Sequence, residues 1–553
     1  MSLPLPPPIS TSSASRCPEA APPPQAWRAA ITGIAVGIPY AVCVTGLESI
    51  NGRLATVPVH DDVSYLLDGA RRIETLDQRG ALGLVQSLIV DPPHSPILTT
   101  LSFVGQVASL GGYFGVYILG FLWIALSTVC WVELAGRLRA PAYATIAVGL
   151  LLLSCPLAWD TVAVFRPDFA AAVFTAIAVG RVALGSLDDR RGALITGAMA
   201  GLAILAKPTI TPQTLFVFGC VIAAMVIVSF WTEGLQYAAR LAAPCGLFLL
   251  GLALTAGWYL AINGEGIARY IWQNNFGPLR ELWSYKESLA SHLLFYITGP
   301  GGCSMFGSTG AGLWWVLGSV AALAWLVAAD ARAGICLLAA IAAAYTVPTV
   351  NWHKNIYLGT VFQGLCVMTC GWALLSIASK TNAIPRVRWM MMLVVVGLSV
   401  GGIFCLSHRT YAGPHQTDAV ALQQLSAAVR AGTEGIKRPR IAMAFTGTIN
   451  DGNISLEIWR RCGDILDIST TPYSASIDEA WDFLKPHDLV IAAVDVGDWI
   501  PGWMPLGVHQ HGILERLRGE AAFRVEEIEL AGGRTVLLGI RRPEPTANAD
   551  EVR

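Results

Sequence analysis

The sequence predicts a mainly α-helical, polytopic membrane protein that carries a soluble α/β domain at its C-terminal end. Three observations lead there. The 553 residues are 54% hydrophobic and only 14% charged, with a mean hydropathy of +0.54, where soluble chains carry about 25% charged residues. Long apolar runs recur between residues 29 and 407, each near the roughly 20 residues that cross a bilayer. After residue 407 the runs shorten, charges return, and strand-like and helix-like periods alternate. A net charge of −1 supplies no general attraction to nucleic acid, so no such partner is expected. The Cys residues lie mostly inside apolar runs, as Cys43, Cys130, Cys220 and Cys366 do, and no CxxC pair occurs. They read as small packing residues.

Residues 1–27 are rich in Pro, Ser and Ala, including Pro4-Leu5-Pro6-Pro7-Pro8. They have no apolar period with which to pack and are expected to be a disordered cytoplasmic tail. Arg28 precedes the apolar run 29–47, which lacks a small-residue cleavage site and is long enough to remain as a first span. Residues 28–407 are then a transmembrane domain with outer loops at 48–112 and 263–310. In the first loop Val63, Leu66, Leu67, Ala70 and Ile73 recur at helical spacing and predict an amphipathic helix on the membrane surface. Residues 97–110 are apolar but short and end at Gly111-Gly112, a second surface or half-buried helix. Further spans fit near 113–135, 141–158, 168–186, 192–206, 211–231, 241–262, 311–329, 333–349, 356–379 and 389–407, for a total of about eleven.

Short-loop charges orient the spans. Arg137, Arg139, Arg190, Arg191, Arg240, Arg332, Lys380, Arg386 and Arg388 all fall on one side, which the positive-inside rule makes cytoplasmic. Counting 97–110 as a span would break the alternation. The acidic first loop, the 263–290 insert and residues 408–553 therefore face outward. In that last region Val420, Leu422, Leu425 and Val429 suggest an amphipathic helix, 440–445 and 489–494 read as buried strands, and 523–530 with 535–540 read as a hairpin turned at Gly532-Gly533. The alternation suggests a small extracytoplasmic α/β domain, without a phosphate-cradling glycine motif.

The polar groups cluster at the outer span ends. His60-Asp61-Asp62-Val63-Ser64-Tyr65 follows the first span, and Asp91-Pro92-Pro93-His94-Ser95-Pro96 precedes the next long apolar run. Phe165-Arg166-Pro167-Asp168-Phe169 opens one span, Lys207 ends the next, and Asn351-Trp352-His353-Lys354-Asn355-Ile356-Tyr357 opens another. Ordinary chemistry explains each alone. Asp is favoured at helix starts, Arg and Lys snorkel to interfaces, and Trp and Tyr anchor there. Charges at the bilayer centre are costly, so such residues sit at edges or in cavities, and here they cluster mainly at the outer span ends.

This arrangement resembles the GT-C glycosyltransferases, in particular the branch with bacterial aminoarabinose transferases and protein O-mannosyltransferases. An Asp-Glu-x-x-Tyr-like motif in their first outer loop is followed by a Pro-Pro-Leu motif. Here the first reads Asp61-Asp62-Val63-Ser64-Tyr65, with Asp for Glu, and the second has His94 where Leu is usual. The resemblance spans about residues 29–380. It implies an inner-membrane enzyme that moves a hexosyl or pentosyl group from a polyprenyl-phosphate donor to a lipid, glycan or protein acceptor. It also implies Asp168 as a second carboxylate at the site, with Asp160 a weaker candidate. Lys207 stands at the place of a Leu-Thr-Lys-Gly-like motif, with Ala206 and Pro208 replacing Thr and Gly, and Lys354 and Tyr357 match a lysine-and-tyrosine loop.

Such a transfer needs a carboxylate to take the acceptor proton and cations or a metal to meet charge on the leaving phosphate. Asp61, Asp62 and Asp168 are the catalytic candidates. Tyr65, His94, Arg166, Lys207, His353, Lys354 and Tyr357 are the donor-binding ones. A divalent ion could sit on Asp61 and Asp168, or among His60, Asp61, Asp62 and His94, although the spacing is not that of a strong zinc site. The aromatic insert from Tyr270 to Lys286 could be a lid or an interfacial helix. Two rival functions are a transporter for lipid-linked sugars and a non-catalytic envelope subunit. The first predicts ionisable residues deep in spans and paired broken helices, which the sequence lacks.

Overall fold

The computed structural model describes residues 26–50, 57–58, 61–90, 94–277, 279–381, scattered positions between 385 and 400, 414–445, 447–472, 476–494 and 505–543. The expected tail 1–27 lies almost wholly outside them. The bundle opens with α1 (Ala26–Ile50), α2 (Asp61–Val90) and α3 (Pro96–Ala108), followed by α4 (Phe114–Ile118) and α5 (Phe121–Arg137), α6 (Ala142–Ser154), α7 (Pro156–Ala163), α8 (Pro167–Ala183) and α9 (Arg190–Ala206). It continues through α10 (Thr211–Glu233), α11 (Leu235–Arg240), α12 (Ala242–Leu252) and α13 (Trp258–Asn275), then the short α14 (Arg280–Trp283), α15 (Leu289–Leu294) and α16 (Pro300–Phe306). It closes with α17 (Thr309–Ala329), α18 (Ala331–Val350) and α19 (Thr360–Thr381).

Seven helices among the described residues are long and apolar enough to cross a membrane, and an eighth is the pair α6 and α7, bent by 59°. Pro156 causes that bend, because it follows an extended Cys155 and starts a new helix. The 17-residue α8 and α9 sit at the lower end of spanning length. With them the number is ten, and the expected eleventh, 389–407, lies mostly outside the described residues. Ile31, Ile34, Leu249, Leu254, Leu313 and Val320 point outward from their helices, as lipid-facing side chains do when every backbone group is already bonded within its own helix. The chain is a multi-pass membrane protein.

Three expectations need correction. The insert beginning at 263 is not loop from its start, since α13 carries the preceding span on to Asn275 without a break. The helix at 63–73 does not rest on lipid: Val63, Leu66, Leu67 and Ala70 are buried between α3 and a helix of the C-terminal domain. The Gln106 amide donates to the Leu66 carbonyl at 2.8 Å. Val420 faces out while Leu422, Leu425 and Val429 face in, because it stands off their i, i+3, i+7 stripe. The short helix expected at 97–110 is Pro96–Ala108, whose 13 residues are too few to span.

The C-terminal region builds a five-stranded sheet from β1 (Ile441–Met443), β2 (Ile468–Thr470), β3 (Leu489–Ala493), β4 (Phe523–Leu530) and β5 (Arg534–Arg541) in the order β2-β1-β3-β5-β4. The β1 pairings with β2 and β3 are parallel, and β5 runs antiparallel to both neighbours. Helices α20 (Pro414–Gly432) and α21 (Asp451–Cys462) cover the face of Ile441, Leu489 and Val536. Helices α22 (Ile477–Leu484) and α23 (Pro505–Gly519) cover that of Ala442, Val490 and Leu537. Both faces are buried, which is why the central strands read as unbroken apolar runs.

Candidate active site

The residue before a proline is pushed to extended backbone. Arg166 obeys this (φ −122°, ψ 142°), so α8 starts at Pro167 with Asp168 in its first turn. The next helix, α9, runs back antiparallel and stops at Lys207, where Pro208 cannot continue it. The two ends meet, and Lys207 forms an ion pair with Asp168, both largely buried.

Asp62 lies in the first turn of α2 and is 1% exposed. Its Oδ2 accepts from the backbone N–H of Phe165 (3.2 Å) and from the Tyr117 hydroxyl (3.4 Å), while Oδ1 stands 3.8 Å from Arg166 Nε. The Arg166 guanidinium covers the Tyr357 ring, 3.7 Å from its centroid, and Tyr357 meets Phe169 edge to face at 6.2 Å. Tyr65, three residues after Asp62 on the same helix, stacks on His94 at 6.2 Å and meets Phe165 at 6.5 Å. The His94 carbonyl accepts from the Tyr259 hydroxyl at 3.2 Å, and the Ser95 hydroxyl donates to the Ala206 carbonyl at 2.5 Å. The end of the Pro-Pro turn is thereby tied beside Lys207.

Of the residues expected from the sequence, Asp62, Tyr65, His94, Arg166, Asp168, Lys207 and Tyr357 thus form one connected set. Lys354 joins at its edge, with Nζ 5.6 Å from the centroid of the fully buried Tyr296 ring. It donates to the carbonyls of Pro348 (2.8 Å) and Thr349 (2.6 Å), and burial pushes its pKa down to about 8. Burial pushes the Tyr296 phenol up, and the nearby charge of Asp168 adds to the rise. His353 pairs with Ser284 through a short antiparallel bridge, and the Tyr285 N–H donates to the Trp352 carbonyl at 3.0 Å, so the aromatic insert closes over this loop. Asp61 opens α2 at the same place, but its side chain lies outside the described residues, as do His60 and Asp91 to Pro93. Asp160 is buried in α7.

Tyr117, Tyr296, the Phe165 N–H and Glu48 are absent from the sequence-based set. Glu48 is buried at the end of α1 and accepts from Trp159 Nε1 at 2.6 Å. A lone carboxylate at the tip of an apolar run was its available signal. Among the described residues no three His, Cys, Asp or Glu side chains come together as a metal site. Asp62 and Asp168 each already face a cation, which a divalent ion would have to displace. Asp61 and His60, the other expected ligands, lie outside the described side chains.

A mostly apolar cavity of about 600 Å³ lies among α1, α5, α6, α8 and α19. It begins at Phe169 and Thr360, next to Asp168, and follows α8 past Ala172 and Ala176 to Arg181.

No family model and no curated protein matches this chain. Solved structures do. ArnT from Cupriavidus metallidurans bound to undecaprenyl phosphate is similar with a TM-score of 0.56 and 12% identity, over 92% of this chain and 97% of that one. The archaeal oligosaccharyltransferase AglB from Archaeoglobus fulgidus, in complex with an inhibitory peptide and a dolichol-phosphate, is similar with a TM-score of 0.51 and 11% identity, over 94% and 75%. At such identities the likeness is one of fold. The shared architecture is a polytopic helical membrane bundle followed by a C-terminal domain.

Proposed function

We propose that this protein is a glycosyltransferase that moves a hexosyl or pentosyl group from a polyprenyl-phosphate donor to an acceptor hydroxyl at the outer face of a bacterial inner membrane. The observation that carries this reading is the meeting of buried carboxylates and cations at one end of a GT-C-like bundle, beside an apolar cavity. The similar ArnT structure holds undecaprenyl phosphate and the AglB structure a dolichol-phosphate with a peptide. A lipid phosphate and an acceptor, whether lipid, glycan or protein, are the ligands such a site suits. The Arg and Lys residues of the short loops stand at the opposite helix ends, Arg137 closing α5 and Arg190 opening α9, which supports an outward-facing site.

The chemistry divides among the residues. Asp62 accepts two hydrogen bonds and faces Arg166, so its lone pairs hold α2 against the start of α8. The proton acceptor is then its neighbour Asp61, turned about 100° around the helix. As the acceptor oxygen attacks the sugar C1 and the bond to phosphate breaks, the proton passes to Asp61. The charge growing on the phosphate is met by Arg166, Lys207 and Lys354. The cavity beside Phe169 takes the isoprenoid chain.

Turnover of the purified protein in nanodiscs, with a panel of polyprenyl-phosphate sugars and acceptors, tests this. Asp61→Asn should cost about 10²–10⁴ in turnover, the scale of general-base catalysis, with donor binding kept. Asp62→Asn should instead lower stability by about 3 kcal/mol, because Arg166 remains buried without its counter-charge. Near-wild-type turnover in Asp61→Asn, or no turnover of any donor by wild type, overturns the assignment.

A further inference from the structure

The C-terminal domain and the acidic motif exchange core residues. Val57, four positions before Asp61, is buried in the cluster of Ile449, Ile454 and Ile458. In the other direction Leu456 and Trp459 are buried in the bundle's cluster with Tyr65, Leu66 and Tyr113. Helix α21 therefore has two apolar faces: Ile454 and Ile458, four apart, look into its own sheet, and Leu456 and Trp459, three apart, look into the bundle.

Polar contacts follow the same division. Asn453 is 1% exposed, and its side-chain amide donates to the carbonyls of Pro58 (3.1 Å) and Thr448 (3.2 Å). Its backbone N–H is capped by Asn450 Oδ1 at 3.0 Å. Gly452 abuts Val63 so closely that a Cβ would come within 2.6 Å of that side chain. Arg460 lies over the Tyr113 ring, 4.4 Å from its centroid, and Tyr117, one turn further on, is the hydroxyl that donates to Asp62. The chain just before Asp61, the helix just after it and the tyrosine segment beside it all touch α21.

We propose that α21 positions the acidic motif, with Asn453 and Arg460 as positioning residues that hold Pro58 and Tyr113 and so fix where Asp61 presents its carboxylate. The effect on turnover rests on the transferase reading above; the effect on the loop does not. The buried Asn453 amide needs acceptors, and one of them is the Pro58 carbonyl, 395 positions away in the chain. Without this contact, the described residues 57–58 keep the apolar burial of Val57 but lose the directional bond that sets their register against α21.

The test uses the full-length protein in nanodiscs with Asn453→Asp, Arg460→Gln and Arg460→Lys. Asp keeps the shape of Asn453 but turns a donor into an acceptor facing two carbonyls. Amide hydrogen exchange over residues 57–66 should accelerate about tenfold in Asn453→Asp, the equilibrium equivalent of one buried hydrogen bond, with exchange in β3 and β5 unchanged. Turnover should fall about 10²-fold, as for a small misplacement of a reacting group, with the donor KM within about twofold. Arg460→Gln should show a smaller change in both, and Arg460→Lys should restore them, since it keeps a cation over the ring. Unchanged exchange at 57–66, unchanged turnover despite faster exchange, or a uniform rise across 414–543 overturns positioning. Faster exchange at 57–66 in a protein whose wild type turns over no polyprenyl-phosphate sugar supports positioning and removes the transferase reading alone.

Discussion

Lys354 spends two of its three donors on the carbonyls of Pro348 and Thr349 at the end of α18, where a helix leaves carbonyls unbonded and favours a cation. Burial lowers its pKa from 10.5 to about 8. The folded value lies below the unfolded one, so the cost of keeping this lysine charged is fully present below about pH 8. It fades as pH rises toward about 10.5, and stability contributed by this group improves through that window. Donor binding should run the other way. A third N–H donated to a lipid phosphate needs the ammonium, so affinity should fall as pH rises through about 8. Lys354→Met should weaken donor binding about ten- to a hundredfold, and Lys354→Arg, which stays charged, should remove the pH step. Donor titrations at pH 7 and 9 check this. Wild-type affinity in Lys354→Met leaves the residue a helix cap and makes Lys207 or Arg166 the phosphate ligand.

At the scale of the elements, α9 matters because its last turn delivers Lys207 to Asp168. Its place is set by contact with α12 through glycines. A Cβ on Gly197 would collide with the Phe248 carbonyl, and one on Gly251 with that of Leu194. Small residues of this kind let membrane helices approach backbone to backbone, where packing and not the hydrophobic effect holds them. Gly197→Leu should therefore cost about 1–3 kcal/mol, the usual price of overpacking, and weaken donor binding by shifting Lys207. Thermal melts in detergent with a donor titration measure both. A wild-type melt would show that α9 and α12 separate freely and that Lys207 is placed otherwise. The acidic helix α2 has the opposite character: its backbone is broken at Gly80, φ 67°, and the half that carries Asp62 is clamped by α3 and α21.

At the scale of the whole molecule, α2 and α21 are in contact, so the C-terminal domain lies on the same side as the carboxylate site. We propose that this is the outer side, a reading that the one-sided Arg and Lys pattern supports. Cys462, at the end of α21, is exposed and offers a direct check. In spheroplasts a membrane-impermeant maleimide should label it without permeabilisation, and Cys462→Ser should remove the label. Labelling only after permeabilisation would reverse the orientation and put the site on the cytoplasmic face.

What the sequence by itself determined is whatever repeats locally. The spans follow from run length, the strands β1 and β3 from unbroken apolar stretches, and the β4–β5 hairpin from Gly532 and Gly533, whose φ values of 85° and 70° suit glycine alone. Asp168 and Lys207 were legible because each marks a helix end, and two antiparallel helices joined by a short loop bring such ends together. Tertiary structure decided the rest. The burial of Asp62 depends on the phase of α2 against Phe165, 103 residues away, and no local period reports that. Tyr117, Tyr296 and Glu48 read as ordinary span or interface residues until their neighbours are present. The helix α21 was not read from the sequence, because its apolar residues divide between two faces and the partner of the second belongs to the bundle. β2, three half-polar residues at a sheet edge, carries too short a pattern to be seen without the strand it pairs with.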